Sequence, residues 1–579
     1  MSTARQAAPT PTWIAPPPDT AARAARLVTR IPGLPPQLAH VLASRDLTDP
    51  DEVRAFLRPR FDDLHDPLLL PDMAPAIERL LAAVDRGETI LVHGDFDADG
   101  MCATALAVRG LRRLGARVVP YVPHRTNDGY DLRRAGVDRA AAERAGLILT
   151  VDCGVTALAA AVEARRRGID LVVTDHHRPG PELPVAVAVV NPLRADGAYP
   201  FDGLAGVGVA FKLIGALFGR RSIPEAELYQ HLDLVAVGTV ADQMPLTGEN
   251  RLLVRAGLRA LGRTRKPGLR ALLRWARIDP RQPIRAEDIA FRVAPRLNSV
   301  GRMSAGDLGA ELLLADDPAR AEALAAHLDE QNVARRAADR EVTEQVERAL
   351  EGRFAPDADP AVVVWGDGWH RGVIGIVASR MVDRWARPAV VVSFDGDVGE
   401  GSGRSVAGFH LHDALAQCGG LLEGYGGHQM AAGLRIRRER IEEFAARLRE
   451  LVVAGLEARA EPGALRIDLE LPLAGVTGEL ADALEHLAPH GADNPAPILV
   501  VRDVALEQPA AVGRGQAHLQ ATLRDGETAL RAIAFGQGSR APELRAGRRF
   551  DAAFHLERDV WRGRERLQAR VLDLRPAGS

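Results

Sequence analysis

Apolar residues recur at helical spacing from Met73 to Arg86 and lead into the short apolar run Thr89–His93. From there two periods alternate: Met101–Leu114 and Asp138–Ala145 read as helices, and Arg117–Val122, Leu147–Val151 and Leu171–Thr174 as strands. Strands alternating with helices predict an α/β domain built on a parallel sheet. From about residue 316 to 351 an Ala- and charge-rich stretch has no Gly or Pro after Pro318, which predicts one long connecting helix between two lobes. A second α/β pattern follows, with strands at Ala361–Trp365 and Ala389–Ser393 around a helix at Val373–Trp385. After about residue 464 the period becomes two, in Leu465–Leu471, Ile498–Leu506, His518–Leu523, Leu530–Phe535 and Phe550–Leu556, which predicts a small OB-like β-barrel. The expected boundaries are a disordered lead at 1–20, an extended arm at 21–75, the first α/β domain at 76–310, the connecting helix at 311–352, the second α/β domain at 353–460 and the barrel at 461–579.

A chain of 579 residues is too long for one core. The formal net charge of -3 provides no global attraction to nucleic acid or membrane, so any polyanion site must be a local patch. Basic residues are almost all arginine, with Lys212 and Lys266 the two lysines, which fits a codon bias better than a recognition device. Three scattered cysteines, Cys102, Cys153 and Cys418, make neither a disulfide framework nor a zinc knuckle and fit a reducing cytoplasm. The proline-rich start reads as neither signal peptide nor anchor, and no apolar run reaches membrane-spanning length.

The chemistry is concentrated at strand ends. His93-Gly-Asp95-Phe-Asp97-Ala-Asp99-Gly100 follows the first strand, Asp152-Cys-Gly154 the second buried one, and Asp175-His176-His177 the third. Asp242 ends the apolar run from Asp233. One Asp after a strand is ordinarily a turn or a cap. Four such stations in one sheet are not explained that way, and carboxylates with imidazole suit Mn²⁺ or Mg²⁺. Strand C-termini of a parallel sheet converge, so distant residues can share one site.

Two glycine-rich segments, Gly399-Glu-Gly-Ser-Gly-Arg-Ser405 and Gly424-Tyr-Gly-Gly-His-Gln-Met-Ala-Ala-Gly433, read as loops able to approach an anion, and Val293–Arg302 as a turn rich in phosphate-capable side chains. Arg558, Trp561, Arg562, Arg564 and Arg566 set an aromatic among arginines. Cys153 reads as a packing residue, and His428 has no partner visible in sequence.

His93-x3-Asp97-x-Asp99, Asp152, Asp175-His176-His177 and Asp242 resemble the four motifs of the DHH phosphoesterase superfamily, and Gly424–Gly433 resembles the signature of the DHHA1 domain. Pro123-His-Arg-x-x-x-Gly-Tyr130, Ala294-Pro-Arg-Leu-Asn-x-x-Gly-Arg302 and Trp369–Ser379 are similar to the RecJ family of single-strand-specific DNA exonucleases, over nearly the whole chain from about residue 40. This resemblance implies 5′-to-3′ release of mononucleotides from single-stranded DNA with two Mn²⁺ or Mg²⁺ ions. It also implies an OB-fold after the DHHA1 lobe, and recombination and repair work beside a RecQ-type helicase and a single-strand-binding protein. By the same resemblance His93 and Asp97 serve one metal, Asp99 and His176 the other, Asp152 bridges and Asp242 completes the set. Asp95 supports them and His177 donates to the scissile phosphate. Arg296, Asn298, Arg302, Ser402, Arg404, Ser405, Gly426, Gly427 and His428 are the expected substrate-binding residues, and a monomer is expected. A dinucleotide phosphodiesterase would share the metal residues but needs no downstream barrel. A catalytically dead scaffold would have lost ligands that are all present here.

Overall fold

The computed structural model describes residues 11–124, 129–303, 307–356, 358–455, 464–544, 548–561 and 564–578. It divides into two compact units, one of Trp13–Asn298, Ala305–Ala325 and Leu465–Ser579, the other chiefly of Ala326–Ala464.

In the first unit, strands β1 (Thr89–His93), β2 (Arg117–Tyr121), β3 (Ala145–Val151), β4 (Asp170–Thr174) and β5 (Ala188–Val190) form a wholly parallel sheet in the order β2-β1-β3-β4-β5. Their apolar runs are buried, as a two-sided sheet requires. The register sets His93 beside Thr150 and Val151 beside Thr174, so β1, β3 and β4 end level with one another. The order reverses at β1, and the crevice beyond the carboxyl ends at such a reversal is where open α/β sheets bind ligands. Helix Ala98–Arg113, buried along most of its length, packs against helices Gly206–Arg220 and Leu232–Ala241.

The second unit carries β6 (Val362–Asp367), β7 (Ala389–Asp395), β8 (Val398–Arg404), β9 (Leu422–Gly427) and β10 (Ala431–Arg437) in the order β9-β10-β8-β7-β6, with only β6 and β7 parallel. The glycine-rich segments expected as loops are therefore largely strand: Val398–Arg404 pairs on both edges, and Leu422–Gly427 is the outer strand. Packing explains the glycines. A Cβ on Gly399 would come within 2.7 Å of Phe394, one on Gly401 within 2.9 Å of Leu434 and one on Gly403 within 2.8 Å of Leu411. The small residues thus face a core of large apolar side chains, while Ser402 and Arg404 fall on the other face.

The long helix is Pro318–Leu350. The expected turn at Val293–Arg302 is instead helix, a π-turn over Ile289–Val293 running into Ala294–Met303. Pro295, which has no N–H to give a helical ladder, comes just after this π-turn, where the regular i→i+4 pattern is already broken.

Strands β11 (Leu499–Val512), β12 (His518–Asp525), β13 (Thr528–Ala534), β14 (Arg549–Trp561) and β15 (Arg564–Pro576) close into a barrel, since β11 pairs with both β12 and β14, β13 with β12 and β15, and β14 with β15. The chain's first helices, Thr20–Arg30, Pro36–Ser44 and Pro50–Leu57, complete its core: Leu27, Leu38, Leu42 and Val53 share one apolar cluster with Leu499, Leu523, Phe550 and Phe554. The expected arm is thus a set of short helices held by the last domain. Trp13–Ile14, inside the expected disordered lead, pairs with Leu465–Arg466, while residues 1–10 lie outside the described residues. Arg251 ties these parts together, donating to the carbonyls of Phe56, Leu487 and His486 at 2.8 to 2.9 Å with its guanidinium over the Phe56 ring.

Candidate metal centre

The loop after β1 turns at once into helix Ala98–Arg113. Asp97 caps that helix, accepting from the Asp99 and Gly100 amides at 3.0 Å, and the Ala98 amide donates to Asn298 Oδ1 at 2.7 Å. Asp99, wholly buried, accepts from the Gly206 and Val207 amides at 2.7 and 3.1 Å, the N-terminus of the next helix. That approach needs glycine: a Cβ on Gly206 would sit 2.3 Å from Asp152 Oδ1, and one on Gly238 2.5 Å from Asp99 Oδ1.

Asp152 follows β3 with φ +63°, a left-handed conformation that Asp adopts more readily than most residues but that still costs energy. It turns the carboxylate toward His176, whose Nε2 lies 3.0 Å from Asp152 Oδ1, 3.6 Å from Asp242 Oδ2 and 4.0 Å from Asp99 Oδ2. Asp242 sits at the C-terminus of helix Leu232–Ala241, where the helix dipole disfavours a negative charge.

Three sets of donors gather within 4.8 Å among the described residues: Asp152 with His176 and His177, Asp99 with His176 and Asp242, and Asp95 with Asp97 and Asp152. The arrangement is electrostatically incomplete as protein alone. Asp95 Oδ1, Asp152 Oδ1 and His176 Nε2 are buried without a hydrogen bond, the 3.0 Å approach of the last two lacking hydrogen-bond geometry. Burial, then the neighbouring carboxylates, raises Asp99 to about 7 and Asp242 to about 8 and pushes Asp95 and Asp152 well up. His176 is lowered to about 4 by burial and then by His177, so Nε2 offers a lone pair at neutral pH. Bare oxygens, a neutral imidazole and mutually repelling carboxylates are the donor set of a hard divalent cation.

His177 is oriented differently. The Asp175 carboxylate accepts from the amides of Val155, His176 and His177 and meets His177 Nδ1 at 2.8 Å, while His177 Nε2 lies 3.2 Å from the Tyr130 hydroxyl. Burial opposes the imidazolium, but the Asp175 hydrogen bond together with Asp175, Asp242 and Asp95 charge raises it to about 9. Asp175 itself, which burial alone would raise, is held below its ordinary value by the His177 contacts. The sequence places Asp175 in the triplet and Tyr130 at the end of the Pro123–Tyr130 motif, in both cases without a role. The signal was available in the adjacency of Asp175 to two histidines, but the partner of a hydrogen bond leaves no periodic trace.

The other expected residues are distributed as follows. His93 is buried with Nδ1 3.5 Å from Cys153 Sγ and its ring against Tyr121, and it belongs to none of the three donor sets. Arg296 gives N–H groups to the carbonyls of Arg292 and Trp275, and Asn298 serves as the cap described above. In the second unit Arg302 donates to the Gly372 carbonyl at 3.4 Å, Arg404 to Ser402 Oγ and the Gly403 carbonyl, and buried Ser405 to the Phe409 carbonyl. Gly426 and Gly427 end β9 on the surface, and the His428 amide closes a turn on Ala431. Arg558 and Arg570 pair with Glu565 and Glu557, Arg562 and Arg125 lie outside the described residues, and Arg566 falls on β15.

Comparison with known proteins agrees with this architecture. Family models match the DHH family, N-terminal domain at residues 89–239, the DHHA1 domain at 358–454 and the RecJ OB domain at 467–573. The chain is 38% identical over 576 residues to the single-stranded-DNA-specific exonuclease RecJ of Dickeya dadantii, covering 95% of this chain and 97% of that one. It is 36% identical to the Bacillus subtilis enzyme of the same name, covering 93% and 68%. Among solved structures, RecJ from Thermus thermophilus in complex with Mn²⁺ superposes with a TM-score of 0.82 at 31% identity, over 98% of this chain and 80% of that one.

Proposed function

Since the chain belongs to the RecJ family of single-stranded-DNA-specific exonucleases, we propose that it hydrolyses single-stranded DNA from the 5′ end, releasing mononucleotides, in recombination and repair. The observation that carries this reading is the convergence of Asp95, Asp97, Asp99, Asp152, His176 and Asp242 at the level ends of β1, β3 and the helix before Asp242. Two Mn²⁺ or Mg²⁺ ions are the proposed occupants, which these residues and His93 would hold. When bound they supply charge neutralisation and Lewis acidity toward the scissile phosphate.

The protein's own groups do the rest. Asp152 and Asp99, fixed by the backbone turn and by the Gly206 and Val207 amides, hold their oxygens in place without further reorganisation. His177, charged and fixed by Asp175, offers a donor where negative charge develops on the phosphate, an interaction often worth about 3 kcal/mol. Asp95 completes the acidic lining. Arg296, Arg302, Ser402, Arg404, Ser405 and the Gly426-Gly427-His428 turn are the proposed holders of the strand's terminal phosphate, with Asn298, whose Oδ1 accepts from the Ala98 amide, bracing the helix that carries Asp99. The barrel is proposed to hold downstream nucleotides by backbone charge and stacking.

A RecQ-type helicase and a single-strand-binding protein are the proposed partners, supported by the family resemblance, with the chain acting as a monomer in the cytoplasm. No helix among the described residues is long and apolar enough to cross a membrane.

The test is incubation of 5′- and 3′-labelled single strands, duplex and RNA with Mn²⁺, Mg²⁺ or chelator. Mononucleotides should appear from the 5′ end of single-stranded DNA and require the metal. Release from the 3′ end, or undiminished release in chelator, would overturn the reading.

A further inference from the structure

Within the first unit a cleft of about 620 Å³ opens between helix Gly248–Leu261 with the following loop, and the barrel with the segment that precedes it. Leu258, Ile284, Leu484 and Leu556 supply an apolar lining. One wall is an arginine stripe. Arg251, Arg255, Arg259 and Arg263 recur every fourth residue, so they share one side of the helix and its extension. The stripe runs from buried Arg251 through half-buried Arg255 to exposed Arg259 and Arg263, and the last three line the cleft.

Like charges at this spacing repel on a helix. Arg255 is lowered by burial and then by Arg259, and it donates to the Leu57 carbonyl instead of a carboxylate. Neither Arg259 nor Arg263 has an ion pair among the described residues. The opposite wall is internally compensated, with Arg558 paired to Asp482 and Glu565, and Arg570 to Glu557 at 2.5 Å. The cleft therefore presents one uncompensated cationic wall beside an apolar lining.

We propose that this cleft docks an extended acidic segment of a partner protein in which carboxylates alternate with aliphatic side chains. Four residues of helix rise about 6 Å, and two residues of extended peptide about 6.7 Å, so alternate carboxylates keep pace with successive arginines. The intervening side chains then face the leucines. A nucleic-acid strand fits less well, because the lining includes no Phe, Tyr or Trp on which bases could stack, while its leucines and isoleucine suit aliphatic side chains.

The experiment is fluorescence anisotropy of the full chain with a labelled peptide of four Asp-Leu repeats, its Asn-Leu counterpart, and an eight-nucleotide oligo(dT). The Asp-Leu peptide should bind saturably, at least tenfold tighter than the Asn-Leu peptide. Arg259→Glu with Arg263→Glu should weaken it at least tenfold while hydrolysis of a short oligonucleotide stays at the wild-type rate. Arg259→Gln with Arg263→Gln, which only neutralises the stripe, should give an intermediate loss with an unchanged melting temperature. Equal binding of both peptides, indifference to the charge reversal, or displacement of the peptide by oligo(dT) with the same arginine dependence would overturn the proposal, the last outcome making the cleft a strand track.

Discussion

His177 Nδ1 lies 2.8 Å from Asp175 Oδ1, and three backbone amides hold that same carboxylate. The ring is thereby kept protonated and fixed in one orientation, which is what a donor aimed at a phosphate needs. Asp175→Asn keeps the size of the side chain but removes the negative charge that holds the imidazolium and turns one acceptor of backbone N–H groups into a donor. We expect kcat for mononucleotide release to fall roughly 10- to 100-fold with little change in KM. An unchanged kcat would show that His177 orientation is immaterial.

Removing a carboxylate from the donor cluster should separate stability from activity. Asp152 is buried, strained and repelled by its neighbours, so Asp152→Asn should melt at or above the wild-type temperature without metal. The same variant should lose the rise in melting temperature on Mn²⁺ addition that ligand linkage predicts for wild type, and turnover should drop by about a hundredfold or more. A full Mn²⁺-induced rise in the variant would remove Asp152 from the metal set.

Arg404 is placed by the glycine-rich strand β8, with one N–H on Ser402 and one on its own strand. If it holds the terminal phosphate, Arg404→Ala forfeits a charge-assisted hydrogen bond of about 1.5–3 kcal/mol, or roughly a 10- to 100-fold rise in KM on 5′-phosphorylated oligonucleotides. Steady-state kinetics on substrates with and without the 5′-phosphate should show this loss only on the former.

Lys212 Nζ meets Glu249 Oε1 at 2.5 Å with both side chains almost fully buried, and Glu249 also accepts from Tyr199 and from the His65 amide. Glu249→Leu strands an ammonium and should cost about 3–5 kcal/mol in urea unfolding. Adding Lys212→Met should recover a substantial part of that loss. A single variant as stable as wild type would refute the coupling.

Burial, then the positive charges of Arg45 and Arg251, lowers His490 to about 4, while in the unfolded chain an imidazole titrates near 6.5. Between those values the unfolded state binds the extra proton, so the stability associated with neutral His490 is present above about pH 6.5 and is lost as pH falls toward 4. Going from pH 7.5 to 5 should cost wild type about 2 kcal/mol more than it costs His490→Gln. Parallel pH profiles of the two proteins would contradict the assignment.

Much of this molecule is written locally. β1, β3 and β4 are short apolar runs, the connecting helix is a long stretch without breakers, and Asp99, Asp152, His176 and Asp242 stand at element ends because a ligand at a strand terminus sits next to the run that defines the strand. Where local signals misled, packing had overruled them. Gly399, Gly401 and Gly403 lie in a strand because Phe394, Leu434 and Leu411 occupy the space beside them, and Val293–Arg302 is helix although its composition resembles a turn.

The sequence by itself determined the element types of the two α/β patterns, the connecting helix and the barrel strands, the order of the domains and which carboxylates and imidazoles could meet, because periodicity and strand ends are properties of neighbouring residues. Only the tertiary structure decided that Leu27 and Phe554 share one core, that Asn298 caps the Asp97–Gly100 turn, that Asp175 is spent on orienting His177 and that Arg296 donates to carbonyls. Those outcomes depend on which groups come within about 3 Å of each other across hundreds of residues, and a hydrogen bond or a shared core of that range leaves no pattern along the chain.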